Sequence, residues 1–185
     1  MKTEPEEFSI ADLARKQIEP WSGVRSMFAR FHMRNMTVGD GVLFYHSSCV
    51  PPGVVGLARV AKTRVIDETQ FDPASKYFDE SSTRDKPKWD CVEVEYVSTL
   101  PNAVVLERIR GDQALADMVL LRQGRLSVQP VSEAEYAHIV ALADTPWEAP
   151  PKQKPAKPKP KEKKKKVKAK VKPKQATPKS KKAKR

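Results

Sequence analysis

The sequence predicts a mixed α+β fold: a small barrel of short strands with helices set between them, followed by a basic tail. Residues 89–100, WDCVEVEYVSTL, alternate, with Val92, Val94 and Tyr96 on one face and Glu93 and Glu95 on the other, which marks a half-exposed strand. Residues 38–60, VGDGVLFYHSSCVPPGVVGLARV, read as a strand, a tight loop and a return strand, since turn residues bound a short run of β-branched and aromatic side chains. Repeated βαβ units are missing, which argues against a doubly wound parallel sheet.

Taken in order, the opening Met1-Lys2-Thr3-Glu4-Pro5 leaves little room for a first strand. Ser9 is placed to cap a helix running to about Lys16, with Asp12 three residues on and Phe8 and Leu13 at the positions of a hydrophobic staple. Residues 19–23, EPWSG, read as a loop holding Trp21. Residues 24–36 are predicted helical, with Met27, Phe28, Phe31 and Met36 sharing the core face and Arg25, Arg30 and Arg34 elsewhere. Arg59–Ile66 extends as a strand-like stretch. Residues 67–88 form a long polar segment that Phe71, Tyr77 and Phe78 are expected to pin to the domain. Pro101 is expected to stop the strand of residues 89–100. Leu106–Arg110 and Gln113–Leu121 read as short helices and residues 125–131 as a strand. Ser132 and Glu135 form a capping box for a last helix ending near Ala143. From Pro150 onward the chain is almost entirely Lys, Pro, Ala and Val, too poor in apolar side chains to offset the entropy of ordering, so disorder is expected. The domain boundaries expected are 1–145 for the folded part and 146–185 for the tail.

The net charge of +12 is unevenly spread. Residues 151–185 hold 18 Lys/Arg against one acid, Glu162, while residues 1–150 hold 17 against 22 acids. A mildly acidic domain with a strongly basic tail points to a polyanionic partner. The two cysteines, Cys49 and Cys91, lack CxxC or HxC neighbours, so neither zinc nor a disulfide framework is indicated and a reduced compartment fits. No apolar run approaches a membrane span, and the acidic N-terminus lacks the core of a signal peptide. An intracellular, soluble protein is the expectation. No GxxxxGK[ST] or GxGxxG is present, and Asp67, Asp72, Asp79 and Asp85 lack EF-hand spacing.

The hairpin's polar cluster, His46-Ser47-Ser48-Cys49, sits at the mouth of a buried strand. Small hydroxyls and an imidazole there are candidates for reading the polar edge of a ligand; equally, they would cap the hairpin and satisfy its backbone. Trp21 is a stacking wall or a core plug. Arg25 and Arg125 contact phosphate or pair with surface acids. His32 and His138 read as structural or solvated. No nucleophile, acid pair or metal cluster is placed by the sequence, so no catalytic residue and no cofactor is expected.

The motifs MKTEPEEFSIADL, WSGVR, FYHSSCVPPGVVGLARV, FDPASKYFD, WDCVEVEYV and LLRQGRLSVQPV follow one another in the order and spacing of the EVE domain. The chain resembles that family over nearly all of residues 1–142. The family belongs to the PUA-like superfamily and is similar to YTH domains and to thymocyte nuclear protein. The resemblance implies a PUA-like mixed β-barrel of five or six strands with surrounding helices, and a pocket for a single modified base, such as a methylated or oxidised cytosine, flipped from its strand. Matched position by position, it implies Lys2 and Thr3 beside the pocket, Trp21 as a stacking face with Arg25 following, and Tyr45, His46 and Ser47 at the end of the lining strand. Arg125, Ser127 and Gln129 match the motif near the mouth, with Arg125 expected on phosphate, and Trp89 would be a second aromatic wall by analogy with YTH domains. Two positions depart from the pattern. The family carries Tyr-Trp-Leu before its Met-Lys-Ser-Glu-Pro, so either the start is misassigned or the first strand is truncated, exposing a barrel edge. Ser26 stands where the family has Asn, a longer group that donates and accepts at once. The tail resembles in composition the Lys-Pro-Ala tails of linker histones and their bacterial counterparts, and Lys163, Lys164, Lys165 and Lys166 are its expected phosphate contacts.

The function expected is therefore a non-enzymatic reader of a modified base, acting as a monomer on nucleic acid, DNA rather than RNA, without a membrane partner. It would sit on the nucleoid in a bacterium and in the nucleus in a eukaryote. The competing expectation is a nucleoid or chromatin structural protein whose barrel is a protein–protein module.

Overall fold

A computed structural model describes residues 1–147. In chain order the elements are β1 (Lys2–Thr3), α1 (Ile10–Lys16), β2 (Ile18–Pro20), α2 (Met27–Arg34), β3 (Gly41–His46), β4 (Gly53–Ile66), a 3-10 turn (Glu68–Phe71), β5 (Asp90–Val105), α3 (Leu106–Gly111), a 3-10 turn (Gln113–Leu115), α4 (Val119–Arg122) and α5 (Glu133–Ala143). Residues 148–185, and with them the predicted tail and Lys163, Lys164, Lys165 and Lys166, lie outside the described residues.

The strands form one five-stranded mixed sheet in the order β1-β3-β4-β5-β2, the α+β class expected and the lower of the two strand numbers. β1 runs parallel to β3; the other pairings are antiparallel. Short as it is, the opening segment does make a strand, with Lys2 opposite Tyr45 and Thr3 opposite His46. The apolar run of β3 is buried on both faces, which is why it shows no alternation. Val42 and Phe44 enter a core with Leu13, Trp21, Ala29, Met33, Val60 and Val94. Leu43 and Tyr45 enter the opposite core with Val54, Leu100, Ile109, Leu115 and Ile139. α1 lies close on the sheet at Gly56, where an added Cβ would meet Ile10 Cδ1 at 2.5 Å.

Both capping boxes form as read, Ser9 with Asp12 on α1 and Ser132 with Glu135 on α5. Four expectations are corrected. Residues 18–20 are an edge strand, because their backbone pairs with residues 93–95 of β5. Pro101 does not stop β5; it stands exposed where the pairing slips between Thr99↔Gly56 and Val104↔Val54, so no ladder bond calls on its missing N–H. Residues 125–131 form a turn instead of a strand, tied to β1 by Lys2 N donating to Ser127 O at 2.8 Å.

The fourth correction concerns α2. Phe28, Phe31 and Met27 are 77%, 60% and 63% exposed, and the core receives Ala29 and Met33 from the opposite face. Long-range charge decides the rotation. Arg30 Nε donates to Asp90 Oδ1 at 2.6 Å and Arg34 Nη2 reaches the same carboxylate at 2.7 Å, so α2 must turn that flank to β5. The small Ala29 then lets the helix approach the sheet. The long segment 67–89 is held mainly by polar groups. Gln70, fully buried, donates to Asp67 O and Trp89 O, both at 2.8 Å, and accepts from the backbone N–H of Lys88 and Trp89 and from the Ser82 hydroxyl. Phe78, expected to help pin the segment, is 42% exposed.

Candidate functional site

Beyond the ends of β1 and β3 lies a cleft of about 810 Å³. Its walls include five stretches far apart in sequence: Lys2–Thr3, the turn Trp21–Arg25, Ser47–Ser48, Tyr77 and the turn holding Gly124, Arg125 and Ser127. Parallel pairing sets Thr3 beside the end of β3, and Ser47 donates to Thr3 O from both its backbone N (2.8 Å) and its hydroxyl (3.1 Å). Lys2 Nζ donates to Gly124 O and so closes the cleft's far lip.

Trp21 is buried except for 7% of its surface. Its backbone N–H donates to Val92 O at 2.7 Å, which ties the turn to β5, and its ring stands edge-on to Phe44 at 5.4 Å, which fixes the indole in the wall. Gly23 has φ +79°, and a Cβ there would strike the Tyr77 ring at 2.6 Å, so Tyr77 lies directly on the turn. Asp67 fastens the same turn. Its Oδ2 accepts from Gly23 N at 2.8 Å and from Arg25 Nη1 at 2.7 Å, and its Oδ1 accepts from Thr69 N and Oγ1. Burial by itself would raise the Asp67 carboxyl; the bonds from Arg25, Thr69 and Gly23 outweigh it and hold the group below the usual carboxylate range. Arg25 also donates to Tyr77 O and Thr69 Oγ1, so it is a strut as well as a lining residue.

Of the residues singled out from the sequence, Lys2, Thr3, Trp21, Arg25, Ser47, Arg125 and Ser127 meet on this cleft. The others are placed elsewhere. Tyr45 faces the second core, and burial raises its phenol. His46 Nε2 accepts from Ile10 N at 3.2 Å, which serves the first turn of α1. Trp89 donates from Nε1 to Asp79 Oδ2 at 2.7 Å and lies against the guanidinium groups of Arg25 and Arg30. The Ser81 and Trp89 bonds hold the Asp79 carboxyl at about 2. Gln129 Nε2 donates to Gln123 O and Leu126 O, bracing the turn that carries Arg125. Ser26 caps α2 by accepting from Ala29 N at 3.3 Å and lines an adjoining depression of about 520 Å³ with Arg122, Gln123, Gly124, Arg125 and Leu126. An Asn would make the same cap.

His46 gives a pH prediction. Burial lowers its pKa, with Glu6 acting the other way. A lowered folded value means the unfolded state binds the proton more readily, so stability falls as pH drops below the ordinary histidine value of about 6.5. Protonated His46 can no longer accept from Ile10. Thermal melts in that acidic range should show this loss in the wild type and lack it in His46→Gln.

The electrostatics of the rim are uneven. Lys16 pairs with Glu19 at 2.7 Å, Lys76 with Glu7 at 2.8 Å and Arg25 with Asp67 at 2.7 Å. Lys2 and Arg125 have no carboxylate partner among the described residues. Burial lowers the Lys2 amine. Among the described residues there is no group of three or more His, Cys, Asp or Glu able to hold a metal, no helix long and apolar enough to cross a membrane, and Cys49 and Cys91 are free. An aromatic wall, small hydroxyls and unneutralised cations can together hold a flat, polar-edged, anionic ligand.

Sequence reasoning missed Asp67 and Gln70 as organisers and gave Tyr77 only a pinning role. Asp67 and Gln70 lie in an unpatterned polar run and act over 19–44 residues; Gly23, two residues after Trp21, is the local hint that something packs against that turn.

The EVE domain model matches residues 1–142. Thymocyte nuclear protein 1 of Mus musculus is 38% identical over 164 residues, covering 78% of this chain and 73% of that protein. A hypothetical protein from Leishmania major superposes with a TM-score of 0.76 at 45% identity, covering 78% of this chain and 92% of its own. Human THYN1, solved in complex with 5-methylcytosine-containing DNA, superposes with a TM-score of 0.75 at 34% identity, covering 79% and 96%. With the model spanning nearly the whole described region and the sheet, helices and cleft in place, the chain belongs to the EVE domain family.

Proposed function

We propose that this protein is a non-enzymatic reader of a modified base in DNA, with 5-methylcytosine as the first candidate. The supporting observation is the cleft: the largely buried Trp21 lines its wall, Thr3 and Ser47 line it with hydroxyl oxygens whose protons go to Glu4 O and Thr3 O, and Lys2 and Arg125 have no carboxylate partner among the described residues. Its volume, about 810 Å³, falls within the range of about 300–1,000 Å³ usual for small-ligand sites. The complex of human THYN1 with 5-methylcytosine DNA supports the choice of ligand. A base held here must leave its stack, a step that costs least for a mismatched, damaged or already single-stranded base. Residues 1–145 form the reading domain and 146–185 a separate segment, which with Lys163–Lys166 anchors the protein on phosphate through counterion release. The protein acts as a monomer wherever its DNA is held, nucleoid or nucleus.

The experiment is a titration of short single-stranded and duplex oligonucleotides carrying cytosine, 5-methylcytosine, 5-hydroxymethylcytosine or N6-methyladenine, with the full chain and with residues 151–185 removed. The expected result is preference for one modified base in both proteins, with deletion weakening all the oligonucleotides alike and flattening the salt dependence. Equal binding of all four bases by the shortened chain would overturn the reader.

A further inference from the structure

We infer that the exposed face of α2, formed by Met27, Phe28 and Phe31, is the surface on which the nucleotides flanking the cleft-bound base stack. The inference rests on the reading of the cleft as a base site. An amphipathic helix ordinarily hides its apolar side; α2 buries Ala29 and Met33 and turns two phenylalanines and a methionine the opposite way. Positions 27 and 31 are a helical turn apart and 28 adjoins both, so the three side chains make one patch. Contiguous exposed apolar surface of this kind marks a contact site.

Two observations point to nucleic acid as its occupant. First, the patch begins one residue beyond a depression that adjoins the cleft. Ser26, immediately before Met27, lines the depression that it shares with Gly124 and Arg125, and those two residues also line the cleft. A strand whose base enters the cleft therefore has a path along Arg125 to Phe28. Second, the charge around the patch suits a polyanion. The helix sequence MFARFHMR contains no carboxylate, and Arg30, Arg34 and Arg64 share the single Asp90. Beside Ser26, at the helix's start, stand Arg125, which has no carboxylate partner among the described residues, and Arg122, which pairs with Asp117 at 3.0 Å. Aromatic faces ringed by cations are the recurring means of holding bases without sequence preference, and apolar side chains are the usual wedge where a base has been taken out.

The test compares the full wild-type chain with Phe28→Ala/Phe31→Ala and with Phe28→Tyr, using 5-methylcytosine and cytosine oligonucleotides and the free nucleoside 5-methyl-2′-deoxycytidine. The double variant should bind both oligonucleotides about tenfold more weakly, bind the nucleoside unchanged and keep the ratio between the two bases; Phe28→Tyr should bind as the wild type. Both positions are exposed, so the fold survives. Unchanged oligonucleotide affinity in the double variant, with discrimination intact in the wild type, overturns the inference. So does sedimentation showing a wild-type dimer that the double variant breaks without loss of DNA binding, since the face would then be a self-association surface. If the wild type fails to discriminate or to bind the nucleoside while the double variant still loses tenfold, the reading of the cleft fails and the stacking surface stands.

Discussion

Replacing Asp67 with alanine should destabilise the fold by about 3–5 kcal/mol, the cost of breaking a buried ion pair from one side. Asp67 is 2% exposed, and its carboxylate joins Gly23, Arg25 and Thr69, so removal leaves Arg25 half-buried without its partner and frees the turn that carries Trp21. For a chain this size that is a drop in Tm of roughly 10 °C or more. The sign of the pH effect follows from the lowered carboxyl. A group whose folded value is depressed contributes stability above its unfolded value, about 3.9, and loses it as pH falls through the folded value. Wild type and Asp67→Ala should therefore differ most at neutral pH and converge in acid. The double variant Asp67→Ala/Arg25→Ala should lose less than the two single losses added, because it leaves no lone charge. Melts at several pH values decide this; a deficit independent of pH would show that the carboxylate's charge is not what holds the turn.

Trp21→Ala should abolish discrimination between modified and unmodified bases and weaken binding of the preferred oligonucleotide by one to two orders of magnitude, since one base–aromatic stack is worth roughly 1–3 kcal/mol. The indole is also a structural member, edge-on to Phe44, so the same change should cost about 3–5 kcal/mol of stability. Trp21→Phe separates the two effects, because a smaller ring keeps part of the core contact and a narrower stacking face. Titration of both variants alongside thermal melts reads the result. If Trp21→Phe remains folded and binds every base less well by one common factor, Trp21 supports the cleft but does not read the base.

What could be read from the sequence depended on how far apart the cooperating residues lie. The capping boxes at Ser9 and Ser132 are made over three residues and were legible. The hairpin of β3 and β4 and the alternating strand β5 were legible because turn residues and period-two patterning are local signals. The candidates Tyr45, His46 and Ser47 show the limit. Consecutive residues of a strand face opposite sides, so the three could not all line one cleft; Ser47, past the strand's end, does so, while Tyr45 enters a core and His46 caps a helix.

By itself the sequence determined the family, the α+β class, the hairpin, the capped helices and seven residues that meet on the cleft. Only the tertiary structure decided which face of α2 is buried, which aromatic lies against the Trp21 turn and what clamps that turn. α2 is apolar on two sides, so its own pattern is ambiguous, and an arginine–aspartate contact across 56–60 residues breaks the tie. Likewise Tyr77 and Asp67 meet the turn in a segment between β4 and β5 that Gln70 and Arg25 tie together with long-range hydrogen bonds. Such choices rest on buried polar partners far apart in the chain, where no local periodicity records them.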